Sequence, residues 1–134
     1  MTGPKWITER MALAIHEEAI AQFGGKDGVR DAGLLDSALS RPQRLKEYGS
    51  APTLFDLAAG LCVGIAKNHP FVDGNKRTAL LCARAFLYLN GWVLEPEEKE
   101  EVETMVGVAT GELTEPRLAK WFEDNAKARR PRRK

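Results

Sequence analysis

A chain of 134 residues is the size of one domain, and a hydrophobic share of 43% supplies a real core without disulfide or metal staples. Two histidines and two cysteines, neither cysteine at ligand spacing, argue against a zinc site. No apolar run reaches the ~18 residues of a membrane span, and the start lacks a basic-then-apolar export pattern, so a cytoplasmic setting is expected. In that setting Cys62 and Cys82 read as reduced, buried small hydrophobes.

Thr8 can cap a first helix running to about Gln22, with Leu13, Ile20 and several alanines as its weak apolar stripe. Gly24-Gly25 stops it, and Gly28-Val29-Arg30-Asp31 is a turn. Asp31 caps a short helix through Leu39, ended by Pro42. Residues 43–52 have no clear period and read as a loop or a small hairpin. Thr53 caps the next helix, where Leu54, Leu57, Ala58, Leu61 and Ile65 fall at helical spacing. It should end near Asn68, just before His69-Pro70.

Another helix starts near Asn75 and is apolar nearly all round, which predicts a central position. Asn90-Gly91 ends it. Residues 97–110 form a charged amphipathic helix with Val102, Met105, Val106 and Ala109 inside. Thr114 caps a last helix carrying Leu118, Trp121 and Phe122. About six helices and no confident strand give an all-α fold, with residues 1–126 as the domain. Residues 127–134 read as a disordered basic tail: they hold six basic residues and no acidic one. Without them, 14 basic residues face 19 acidic ones. The tail is either a solvated end or a contact for nucleic acid or an acidic partner.

The stretch with the most chemistry is His69-Pro70-Phe71-Val72-Asp73-Gly74-Asn75-Lys76-Arg77. A helix N-terminus carries unpaired N–H groups and about half a positive charge, and so attracts anions. Gly74 lets the backbone come close to a ligand. Lys76 and Arg77 add two cations on the same turn, where the helix dipole disfavours them unless an anion is present. Asn75 adds an amide for a phosphate oxygen. Asp73 would repel a bare phosphate, which points to a magnesium ion between them. His69 supplies a proton acceptor, and Phe71 an apolar anchor. His16 reads as structural or surface. Arg84, two turns beyond Arg77, either shares the face of Arg77 or forms a structural ion pair, and the ion pair is the favoured reading.

These residues resemble the Fic/Doc superfamily, in its death-on-curing (Doc) toxin branch. The resemblance rests on HPFVDGNKRTAL at 69–80, on GGKDGVRDAGLLDSALSRPQ at 24–43 and on VATGELT at 108–114. It implies an all-helical bundle with a small flap, a β-hairpin in the family, near residues 41–52. By motif position His69 resembles the base that deprotonates a target hydroxyl, and Asp73 the magnesium ligand. Gly74, Asn75, Lys76 and Arg77 resemble the nucleotide-phosphate cradle, and Phe71 the loop anchor. The AMP-transferring pattern has glycine where Lys76 stands and arginine where Leu80 stands. Losing that arginine removes a bidentate phosphate fork. The branch with Asn-Lys-Arg implies a kinase that uses ATP and Mg2+ on a Ser/Thr hydroxyl of elongation factor Tu and arrests translation. It also implies a Phd-like antitoxin, since no glutamate here precedes Gly or Asn, as the family's self-inhibitory motif requires. The alternatives are nucleotidyl (AMP) transfer to a protein hydroxyl and a non-enzymatic partner- or nucleic-acid-binding module.

Overall fold

The computed structural model describes residues 3–130 and forms a helical bundle with one two-stranded sheet. Helix α1 (Glu9–Phe23) begins where the Thr8 side chain accepts the Met11 N–H, and ends at Gly24, φ 88°. Its buried face is Ala12, His16 and Ala19, while the expected stripe residue Leu13 is 37% exposed.

Helix α2 (Ala32–Tyr48) is capped by Asp31, as its sequence predicts, but it runs straight through Pro42. This corrects both the stop at Pro42 and the hairpin near 41–52. A proline inside a helix costs about 3 kcal/mol, so packing must outweigh it. Leu35, Ala38, Leu39 and Pro42 are buried and Leu45 packs on the core, one helical stripe continuing past the proline. That stripe lies on two glycines of the next helix. A Cβ on Gly64 would stand 3.3 Å from Ala38 Cα, and one on Gly60 would collide with Leu45 Cδ1. Arg41 donates to the Gly60 carbonyl at 3.1 Å and pairs with Glu115 at 2.8 Å, tying the same turn down.

Helix α3 (Leu54–Asn68) starts with a full capping box, Thr53 with Asp56. Nine of its 15 residues are buried. Helix α4 (Asn75–Leu89) follows the loop. Helix α4 is central, as its sequence predicts, and shares the centre with α3, which packs against α2, α4, α5 and α6. The small residues of α3, Ala58, Ala59, Gly60, Gly64 and Ala66, allow close approach on every side.

Strand β1 (Trp92–Leu94) pairs antiparallel with β2 (Ala126–Ala128), Val93 opposite Lys127. The expected tail boundary at 127 therefore falls inside a strand. Lys127 pairs with Glu95 at 3.5 Å, Arg129 N–H donates to the Gly91 carbonyl at 2.8 Å, and its guanidinium lies 4.6 Å from the Tyr88 ring centroid. Residues 131–134 of the expected tail lie outside the described residues.

Helix α5 (Glu98–Thr110) buries Glu101, Met105 and Val108, while Val102 and Val106 are 51% and 46% exposed. The helix is thus rotated from the apolar face its sequence predicts. A buried glutamate is tolerable only with partners, and two arginines of α4 supply them, as described below. Helix α6 (Glu115–Asp124), capped by Thr114, buries Leu118, Ala119 and Phe122.

Cys62 and Cys82 are free and fully buried, as expected. Burial pushes both thiols up, Cys82 to about 12, and Cys62 further still through its neighbour Cys82. Reactive thiolate is thus scarce at neutral pH. Native protein treated with iodoacetamide at pH 7.5 should remain unlabelled by mass spectrometry, and gain two labels only once denatured. Among the described residues no helix is long and apolar enough to cross a membrane.

Candidate active site

The loop between α3 and α4 is held by a segment forty residues earlier. Arg30 N–H and Asp31 N–H both donate to the Pro70 carbonyl, at 2.7 and 3.0 Å, and Val72 N–H donates to Gly28 O at 3.0 Å. Val29 and Phe71 thereby form an antiparallel bridge. The Arg30 side chain crosses the end of α3, with Nε donating to His69 O at 2.6 Å and Nη2 to Asn68 O at 2.8 Å. A cation there also meets the negative end of the helix dipole.

His69 sits at that end with φ 51° and ψ 55°, the left-handed region that side chains avoid. Its backbone is fixed from both sides while its side chain is exposed. Phe71 is 1% exposed and stacks flat on His16, with centroids 3.9 Å apart and planes 6° apart. His16 itself is 2% exposed, so of its two expected placements the structural one holds. Its Nε2 lies 2.8 Å from Asp73 O, and a carbonyl only accepts, so Nε2 carries the proton.

Asp73 directs its carboxylate outward. Gly74 N–H donates to Oδ1 at 2.8 Å and Lys26 N–H to Oδ2 at 3.2 Å. These two backbone donors hold its carboxyl below the usual carboxylate range. Gly25 makes the approach possible: at φ 113°, a Cβ there would meet Asp73 Oδ2 at 2.8 Å. Lone pairs remain on both oxygens for a cation. Among the described residues no group of three His, Cys, Asp or Glu side chains could hold a metal alone. An exposed, ionised single carboxylate fits magnesium that takes its other ligands from phosphate and water.

Gly74, φ 74°, opens α4, and no side chain caps the helix among the described residues. The first N–H groups of α4 are therefore left for a ligand. Asn75 departs from expectation. Its side chain turns inward, donating to Phe71 O at 3.0 Å and accepting Phe71 N–H at 2.9 Å. The amide closes the loop, and the residue's outward contribution is its backbone N–H.

Lys76 is exposed, with no ion-pair partner among the described residues. Arg77 lies with its guanidinium 4.0 Å from the Phe23 ring centroid and 3.8 Å from Glu101 Oε1. Arg84 donates to Glu101 Oε2 at 2.5 Å, the structural ion pair expected of it.

His69, Asp73, Gly74, Asn75, Lys76 and Arg77 all line one cleft of about 420 Å³, with Phe71 packed beneath it. The opposite wall is α5, through Glu101, Val102, Met105 and Val106, and buried Leu80 closes the floor. Arg30, Lys26, Gly25 and Glu101 shape the site without any signal in the loop motif. Only the run GGKDGVRD, quoted for its resemblance, marks the first three.

The arrangement combines an exposed imidazole, an ionised carboxylate and an uncapped helix start with two cations, within one helical bundle. A sequence profile of the Fic/DOC family matches residues 6–87, from before α1 into the last turn of α4. The chain belongs to the Fic/DOC family. Its similarity to two curated proteins sets it in the death-on-curing branch. It is 36% identical over 108 residues to "Protein kinase doc" of Escherichia phage P1, across 81% of this chain and 85% of that protein. It is 54% identical over 71 residues to "Toxin Doc" of Mycolicibacterium smegmatis. That match spans 52% of this chain and about half, 54%, of the mycobacterial protein.

Proposed function

We propose that this protein is a Doc-type toxin that transfers the γ-phosphoryl group of ATP to a Ser/Thr hydroxyl of a translation factor of the elongation factor Tu kind. The observation that carries the reading is position 76. A lysine stands, unpaired among the described residues, on the first turn of an uncapped helix, and Leu80 one turn on is buried and carries no charge. A side chain at 76 crowds the place where the AMP-transfer orientation needs glycine, while leaving the N–H groups of the first turn open, and no second arginine at 80 grips a diphosphate. Both features favour presenting the terminal phosphate over the α-phosphate. The names of the two relatives, one a toxin and one a protein kinase, support the same reading.

In this reading His69 accepts the proton of the target hydroxyl. Its oxygen forms the new O–P bond as the bond from phosphorus to the departing ADP oxygen breaks. Backbone N–H groups at the start of α4, with Lys76 and Arg77, hold the phosphate oxygens, and such prearranged donors act where charge develops. Asp73 would hold Mg2+, which when bound would offset phosphate charge. An α5 wall of Val102, Met105 and Val106 gives the nucleotide an apolar surface. We also propose a cytoplasmic setting and a Phd-like antitoxin as the restraining partner.

Label position tests the reaction. With host lysate, γ-labelled ATP should mark a translation factor and α-labelled ATP should mark nothing. Label from the α position on any target would replace this reading with nucleotidyl transfer.

A further inference from the structure

The charged side chains lining the cleft cancel, Asp73 and Glu101 against Lys76 and Arg77. A polyanion would find no net attraction there unless one acid is offset from outside. Arg84 stands where it can do this. It lies two turns along α4 from Arg77, and its Nη2 reaches Glu101 Oε2 at 2.5 Å. Arg77 lies 3.8 Å from the other oxygen, beyond hydrogen-bond range. The Glu101 side chain is only 11% exposed, so water screens it far less than a surface acid. One carboxylate is thus shared unequally: it hydrogen-bonds Arg84 and, among the described residues, leaves the donors of Arg77 unfilled. Phe23 steadies Arg77 from its face, which also leaves its edge N–H groups free.

We infer that Arg84 and Glu101 set the anion affinity of the cleft, with Arg84 holding the Glu101 carboxylate off the phosphate-binding Arg77. Both are positioning residues, and the inference rests on the proposed role of Arg77 in holding phosphate. Without Arg84, the carboxylate turns fully to Arg77 and cancels it. Without the Glu101 charge, Arg77 faces the cleft unopposed. The two substitutions therefore change binding in opposite directions, although each removes the same pair.

The test is titration calorimetry of the full chain with magnesium–ATP at fixed ionic strength, alongside thermal unfolding. R84M should weaken Kd by about fivefold and E101Q should tighten it by about fivefold, the scale of a partly screened charge pair. The double variant R84M/E101Q should return to within about twofold of the parent. E101Q should bind more tightly even as its unfolding temperature falls, which a merely structural role would not produce. Should R84M fail to fold with its stranded carboxylate, E101Q and the double variant carry the test. Equal or weaker binding by E101Q overturns the inference. R77A separates this from the underlying reading. It should lose most binding, and parental affinity in R77A would instead overturn the phosphate role of Arg77 itself.

Discussion

Replacing His69 by alanine is expected to lower the phosphoryl-transfer rate by about 10²–10⁴-fold, the usual contribution of a positioned general base. The fold should survive almost unchanged. The imidazole is exposed, and the contacts that fix this residue run through its backbone, from Ile65 O and Arg30. Exposed substitutions of this kind fall within about ±0.5 kcal/mol. Asp73, held ionised by Lys26 and Gly74, should keep its charge in the variant. The comparison is single-turnover transfer from γ-labelled ATP beside calorimetric unfolding. An unchanged rate would remove His69 from the chemistry, and a lost fold would show that its side chain is structural.

Asn75→Ala is expected to do the opposite, with stability as its first casualty. The change strips the N–H and C=O of Phe71 of their partners, and Phe71 is 1% exposed. Each stranded buried group costs about 1–3 kcal/mol. A loss of roughly 3 kcal/mol should lower Tm by roughly 10 °C in a domain of this size. Lys76→Ala, one residue on, touches no buried group and should keep its Tm while losing nucleotide affinity. A shift under about 2 °C for Asn75→Ala would mean that the amide does not close the loop. It would restore the outward role that its place in the motif suggests.

The contrast between these neighbours shows what the sequence could disclose. Helix starts were legible because a cap is a local event: Thr8, Asp31, Thr53 and Thr114 each accept an N–H from their own first turn. The cleft was legible for the same reason, since His69, Asp73, Lys76 and Arg77 lie within nine residues. What escaped depends on distant partners. Helix α2 passes Pro42 because Gly60 and Gly64 make room for Ala38 and Leu45. Strands β1 and β2 are three residues each and pair across more than thirty positions, and neither has a pattern of its own. Helix α5 turns Glu101 inward because two arginines of α4 await it. Nothing at Arg30 announces that it grips the carbonyls of Asn68 and His69, about forty residues on.

The left-handed backbone at His69 has a further consequence. Glycine adopts φ 51° freely, whereas an L side chain there gives up about 1–2 kcal/mol. Against a net stability of about 5–15 kcal/mol for such domains, that is a sizeable concession. A screen that selected variants only for heat resistance would be drawn to glycine at this position and would discard the imidazole. Under the proposed role of His69 as the base, thermal hardening and function compete at one residue, so any effort to stabilise this chain has to exempt the position where the gain looks easiest.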